Sequence, residues 1–284
     1  TPGIGGPLKN AAGEELYEGG KTPVTLIPEQ IVEYQTLNVD AVTGATITSA
    51  AVKKAVEDCL TQAGANLDDW QAEVPAEAQA DQSADVVVVG GGGAGLAAAI
   101  SAAEGGASVV VVEKNGSVGG DTLVCGAIYN TPNEALQSQV TMTDAVKATI
   151  ESALAEEPVD EAHAALQKEV QAQWDEYKAS GRTDLFDTKE WYALQTWING
   201  DKVADLDLVK TLCYDSYDGL EWIESLGMEF SDVIGQGAGA LWQRTHTSTM
   251  QMGTGFMSTY VEQIAENDKI TILTSSTAEK LVRD

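Results

Sequence analysis

Basic side chains are scarce in this chain: 16 Lys and Arg stand against 44 Asp and Glu, a formal charge of -28 over 284 residues. A surface field of that sign repels phosphate backbones and anionic headgroups, which makes nucleic acid a poor partner. It also opposes anionic small molecules at long range, so a carboxylate substrate needs a locally basic pocket that the sequence does not display. Cysteine is sparse too. Cys59, Cys125 and Cys213 show no C-x-x-C or Cys/His spacing, which argues against a disulfide framework and against a zinc or iron-sulfur site; they read as three small buried side chains. No apolar run is long enough for a membrane span, and the chain opens on Thr1-Pro2-Gly3 instead of a charged segment followed by an apolar one. It begins without Met and stops at Lys280-Leu281-Val282-Arg283-Asp284 in a β-like pattern, so both natural ends, with any signal or anchor, are expected outside it.

The apolar fraction of 43% is that of a globular protein, and the length suits about two domains. Residues 1–70 alternate glycine-rich turns with Val24-Thr25-Leu26-Ile27 and Tyr34-Gln35-Thr36-Leu37-Asn38-Val39, both expected as strands. A helix is expected from Ala50 to Leu60, with Val52, Ala55, Val56 and Leu60 on one face and Thr48 or Ser49 as its cap. Residues 71–84 hold a proline and little apolar surface, and read as a linker. From residue 85 to 284 the pattern changes. Val86–Val89 and Ser108–Glu113 are apolar runs flanking a helix from Leu96 to Glu104, a βαβ unit with a buried parallel sheet. A helical insertion follows from Pro132 to about Gly227, with one stripe through Val159, Leu166, Val170, Trp174 and Tyr177 and another through Leu208, Leu212, Leu220, Ile223 and Leu226. A final helix and the strand Ile270–Thr274 end the chain. The fold class expected is α/β: a small α+β domain, then the start of a Rossmann-like domain with a helical insertion.

Gly90, Gly92 and Gly95 fall in the G-x-G-x-x-G spacing between that first strand and helix. The first glycine permits a tight turn, the second lets backbone approach a pyrophosphate, and the third lets helix pack on strand. The helix N-terminus then offers free N–H groups and the positive end of its dipole to phosphate. Glu113 ends the next strand, where a carboxylate can accept hydrogen bonds from a ribose. The continuation Lys114-Asn115-Gly116-Ser117-Val118-Gly119-Gly120-Asp121-Thr122 brings a second glycine pair toward the pyrophosphate, which favours FAD over NAD; the alternative is an ordinary Asn-Gly turn.

On these residues, Asp85 to Gly126 resembles the FAD-binding start of the fumarate reductase and succinate dehydrogenase flavoproteins, in the soluble branch that includes urocanate reductase. The resemblance implies non-covalent FAD, with Gly90, Gly92, Ala94, Gly95, Glu113 and Lys114 at its ADP part. It places Gly119, Gly120, Asp121, Thr122, Gly126 and Ala127 nearer the flavin. Asp121 stands where the family usually has Asn, and an ionised carboxylate accepts hydrogen bonds but donates none. Arg244-Thr245-His246 also resembles the family and makes Arg244 and His246 candidates for the flavin neighbourhood, although a lone histidine is more often structural. His163, among alanines, is expected to face solvent. The family's acid-base arginine lies further downstream, so no catalytic residue is assigned.

Asp40-Ala41-Val42-Thr43-Gly44-Ala45-Thr46 reads first as a strand end, a turn and a helix cap. It also resembles the D-x-x-[ST]-G-A-T acceptor signature of FMN-binding domains, in which a flavin transferase esterifies FMN to the last threonine. That resemblance implies covalent FMN on Thr46, held with Asp40, Thr43, Gly44 and Ala45, and a location on the outer side of the cytoplasmic membrane. Taken together, the two resemblances imply a reductase of unsaturated carboxylates such as fumarate, urocanate or acrylate. Electrons from a membrane quinol or cytochrome donor would pass through FMN and FAD. Two other readings stand beside it: a dehydrogenase of ketosteroid type, which shares the FAD start, and a non-catalytic flavin electron carrier.

Overall fold

The computed structural model describes residues 22–42, 46–74 and 81–283. Its first element is α1 (Pro23–Tyr34). Pro23 sits at the first helical position, where a missing N–H removes no bond, and the Thr22 N–H donates to Thr25 Oγ1 at 3.1 Å. Ile27 and Ile31, four residues apart, form its buried face against Val39, with Val52, Val56, Trp70 and Val74 packed around them. Both strands expected here are therefore absent: Val24–Ile27 lies inside α1, and residues 35–39 are irregular. Apart from the bond that Pro28 cannot donate, the helix can close its own backbone hydrogen bonds, whereas two short isolated strands would leave open edges.

α2 (Thr46–Gln62) starts four residues before the expected Ala50. Thr48 and Ser49 consequently lie within its first turn and do not cap it. Ser49 is buried, and its hydroxyl accepts the Val42 N–H at 3.0 Å. Lys53 donates to the Val39 carbonyl. The chain entering the expected linker returns to this cluster: Leu37 N–H donates to the carbonyl of Trp70, just before it, at 2.7 Å, and the Thr36 hydroxyl reaches the carbonyl of Ala72, within it, at 2.6 Å.

Beyond residue 81 come β1 (Val86–Val89), α3 (Gly93–Glu104) and β2 (Val109–Val112), the expected βαβ unit. β1 and β2 are parallel with Val86 opposite Val109, and β2 pairs in parallel with β5 (Ile270–Leu273), so the sheet order is β1-β2-β5. α3 buries Leu96, Ala99, Ile100 and Ala103. β2 is buried, but Val87 and Val89 on the edge strand β1 are 60% and 62% exposed, so the expectation of a wholly buried sheet holds only for its centre among the described residues. A 3₁₀ turn (Gly120–Val124) follows β2, and α10 (Thr254–Ala265) leads into β5.

The described residues to Ala127, with those from Met250 onward, form one compact unit; residues 128–249 form another. The second unit holds β3 (Ile128–Asn130), α4 (Glu134–Gln137), α5 (Asp144–Ala155), α6 (Glu161–Ser180), α7 (Lys189–Asn199), α8 (Leu206–Tyr214), α9 (Ser216–Ser225) and β4 (Thr245–Thr247). β3 and β4 pair antiparallel, Tyr129 opposite His246. The side chains of Thr143, Asp160, Thr188 and Asp205 accept N–H groups at the starts of α5, α6, α7 and α8. Trp174, Trp191, Leu166, Val170 and Leu194 fill the core. The stripe expected through 208–226 is broken into α8 and α9 at Asp215, and it leaves Leu208 and Leu212 exposed.

Two side-chain expectations fail. His163 does not face solvent: it is fully buried in the first turn of α6, with Nδ1 accepting the Val159 N–H at 3.2 Å and its ring edge-on to Trp197. Asp160 caps the helix by accepting the His163 N–H at 2.7 Å. Of the cysteines only Cys213 is buried; Cys59 is exposed and Cys125 intermediate.

Candidate nucleotide site

The site is built where β1 hands over to α3. Gly90 turns the chain at φ 103°, a conformation that side chains resist. Gly95 lies one turn into α3, and a Cβ there would stand 1.9 Å from the Gly90 carbonyl oxygen. The third glycine of the spacing is thus what lets the helix sit on the turn. Gly92 precedes the helix, so the first N–H groups of α3 have no intrahelical acceptor.

Glu113 at the end of β2 is 5% exposed and is tied into this turn. Its Oε2 accepts the Gly91 N–H at 2.7 Å, and its Oε1 accepts both the backbone N–H and the side-chain amide of Asn115 at 2.8 Å. A carboxylate offers about four lone-pair sites, so about one remains for a ligand hydroxyl. Sequence reasoning found Glu113 but missed Asn115, whose Asn-Gly neighbourhood reads as a plain turn. The chain after β5 was missed as well: the Ser276 N–H donates to the Glu113 carbonyl at 2.9 Å, and the Ser275 N–H to that of Asn115 at 2.9 Å.

The second glycine pair meets the first. Gly119, at φ 125°, donates its N–H to the Gly91 carbonyl at 2.8 Å, and Gly120 follows at φ 50°. Thr122 in the 3₁₀ turn accepts the Gly93 N–H on its hydroxyl at 3.0 Å. Asp121 and Gly126 are exposed, and Ala127 is buried at φ 56°. A cavity of about 780 Å³ opens here, lined by Val89, Gly90, Glu113, Lys114, Asn115, Gly120, Asp121 and Val124, and by Ser276, Thr277 and Ala278. Among the described residues, Lys114 supplies its only cationic side chain. Gly92, Ala94, Gly95, Thr122, Gly126 and Ala127 are not among the lining residues. A glycine turn, a helix start whose first N–H groups lack intrahelical acceptors, that of Gly93 being taken by Thr122, a carboxylate and one lysine suit a nucleotide diphosphate.

The same cavity is bounded by Ala41, Val42, Ile47 and Thr48, which flank the acceptor signature. Of that signature, Asp40 is exposed, Thr46 opens α2, and Thr43, Gly44, Ala45 and the Thr46 side chain lie outside the described residues.

Arg244 and His246 serve packing within residues 128–249. The Arg244 guanidinium forms a two-point ion pair with Asp187, whose side chain is fully shielded from solvent, at 3.0 and 2.8 Å, and stacks over the Tyr192 ring at 4.2 Å. Burial, opposed by Arg244, pushes the Asp187 carboxyl up to about 6. His246 is buried edge-on to Phe230 with no partner for Nε2 among the described residues, and burial holds its pKa below the ordinary imidazole value. No group of three or more His, Cys, Asp and Glu able to hold a metal occurs among the described residues. Nor is any described helix long and apolar enough to cross a membrane.

Residues 85–182 match the FAD binding domain family, and residues 1–61 match the FMN-binding domain family. The chain is 32% identical over 284 residues to an NADH:acrylate oxidoreductase of Vibrio harveyi, covering 91% of this chain and 28% of that protein. It is 34% identical over 221 residues to a urocanate reductase of Eggerthella lenta, covering 76% and 29%. It therefore spans less than a third of the length of either relative. Among solved structures, the open conformation of a flavocytochrome c3 fumarate reductase aligns with TM-score 0.50 at 23% identity, over 81% of this chain and 31% of that one, which shows a shared fold.

Proposed function

We propose, for a chain that joins an FMN-binding domain to the FAD binding domain of fumarate- and urocanate-reductase-like flavoproteins, that the whole protein reduces the double bond of a small unsaturated carboxylate. The observation that carries the reading is the nucleotide turn, where Gly90, Gly95, Gly119, Glu113 and Thr122 are fitted to one another beside an open cavity that Gly90 and Glu113 line. Gly90 and Gly95 keep the mouth of α3 clear for the pyrophosphate, Glu113 fixes the turn and offers its remaining lone pair to the ribose, and Lys114 supplies positive charge in a chain that has little. With both cofactors bound, FMN on Thr46 would relay single electrons and FAD would supply hydride to the substrate, the redox chemistry belonging to the flavins.

The path from FMN to FAD is part of this proposal. It is supported by the cavity, whose walls include both the nucleotide turn and the residues flanking Thr46. The acceptor signature also supports maturation by a flavin transferase and a place outside the cytoplasmic membrane, with a membrane quinol or cytochrome as donor. Steady-state assays on the full-length protein test this reading. With reduced viologen supplying electrons, at least one of acrylate, urocanate and fumarate is expected to be consumed, with turnover by NADH absent or slower. Protein that holds FAD yet reduces none of them would overturn the reading; NADH as the faster donor would overturn only the donor assignment.

A further inference from the structure

Thr122 connects the two glycine loops, and the fold shows what keeps it there. Its hydroxyl accepts the Gly93 N–H at 3.0 Å, one of the orphan groups at the start of α3. A hydroxyl that accepts this bond still has its own hydrogen to donate, so Thr122 adds a donor at the mouth of the helix. On its other side lies the start of α10. Gly253 immediately precedes that helix, and a Cβ there would fall 1.5 Å from the Thr122 carbonyl oxygen and 2.9 Å from Cys125 Sγ. A backbone oxygen cannot swing aside as a side chain can, so the approach requires glycine. Met252, one residue earlier, sits at φ 52°, a left-handed conformation uncommon for any residue but glycine. The turn that brings Gly253 onto the loop is therefore held against local preference.

Resting on the FAD reading above, we propose that Gly253 is a positioning residue for the cofactor. It lets α10 close on the 3₁₀ turn, and that contact holds the Thr122 hydroxyl on the mouth of α3, ready to donate to an anion there. The role passes through Thr122, so removing either residue should have the same consequence for FAD and little for covalent flavin.

The test is a double-mutant cycle on the full-length protein, with the FAD dissociation constant read by flavin fluorescence and covalent flavin counted after acid precipitation. Gly253→Ala and Thr122→Val are each expected to weaken FAD binding about tenfold or more, as loss of a charge-assisted hydrogen bond does. Thr122→Ser keeps the affinity, and the double variant is no weaker than the worse single one. Additive losses, or wild-type affinity in either single variant, would overturn the proposal. Should Gly253→Ala fail to fold, hydrogen exchange on the wild-type apoprotein decides. Protection of residues 119–125 must rise and fall together with that of 250–255, and independent opening of the two segments contradicts the clamp. Wild-type protein that binds no FAD would sink the flavin reading itself, whereas equal affinity in wild type and Gly253→Ala sinks only this inference.

Discussion

Glu113 shows how much one side chain can settle. Buried and accepting three N–H bonds, it locks the nucleotide turn before any ligand arrives. His163 and His246 illustrate the opposite case, polar rings placed where no described residue satisfies Nε2. Burial holds both imidazoles below their ordinary pKa. The unfolded chain then binds their protons at higher pH than the folded one. Their share of stability is thus intact above the unfolded value of about 6.5 and lost as pH falls through the lowered folded values. Asp187 has the other sign: its carboxyl, raised to about 6, contributes fully below its unfolded value of 3.8 and loses that contribution as pH rises through 6. His163→Asn keeps an acceptor for the Val159 N–H while removing the titration. Thermal melts from pH 7.5 to 5 should show a shallower acid loss for the variant, and an unchanged slope would contradict this account of the buried ring.

At the scale of the element, the junction of β1 and α3 depends on Gly95. Alanine is the better helix former by roughly 0.5–1 kcal/mol, which argues for a gain on substitution. Against that stands a Cβ 1.9 Å from the Gly90 carbonyl, a backbone clash of the kind that costs about 1–3 kcal/mol or more. The clash wins: Gly95→Ala should lower the denaturation midpoint and abolish FAD uptake, and wild-type FAD binding would show that the helix can shift without harm. This junction was legible in the sequence because its apolar runs, glycine spacing and terminal carboxylate all constrain the same turn. The helical character of the insertion was legible from its three-and-four stepping, although the stripe through 208–226 gave no sign of the break at Asp215, and the Thr and Asp caps emerged only in the structure. Val24–Ile27 was not legible. A short β-branched run fits strand or helix equally, and the deciding fact is that Ile27 and Ile31 share a face over Val39, a tertiary contact. The Thr48 and Ser49 expectation failed for a related reason. The Ser49 hydroxyl that suits a cap is used instead to hold Val42. Asp187, the partner that explains Arg244, lies 57 residues away from it in sequence, so no local pattern announces the pair.

For the molecule as a whole, acidic groups outnumber basic ones 44 to 16, and on the proposed reading the cofactor phosphates would be held by backbone N–H groups and Lys114. That economy would suit the proposed arrangement, in which one flavin is bound by a folded cradle and the other is tied covalently to Thr46. The central claim, two distinct flavin sites in tandem, is tested most directly by acid precipitation of the full-length protein co-expressed with a flavin transferase, followed by peptide mass mapping. The account predicts FAD in the supernatant and FMN retained on the peptide containing Thr46, with Thr46→Ala losing the retained flavin alone. Retained flavin on another peptide, or loss of FAD together with FMN in Thr46→Ala, would contradict it.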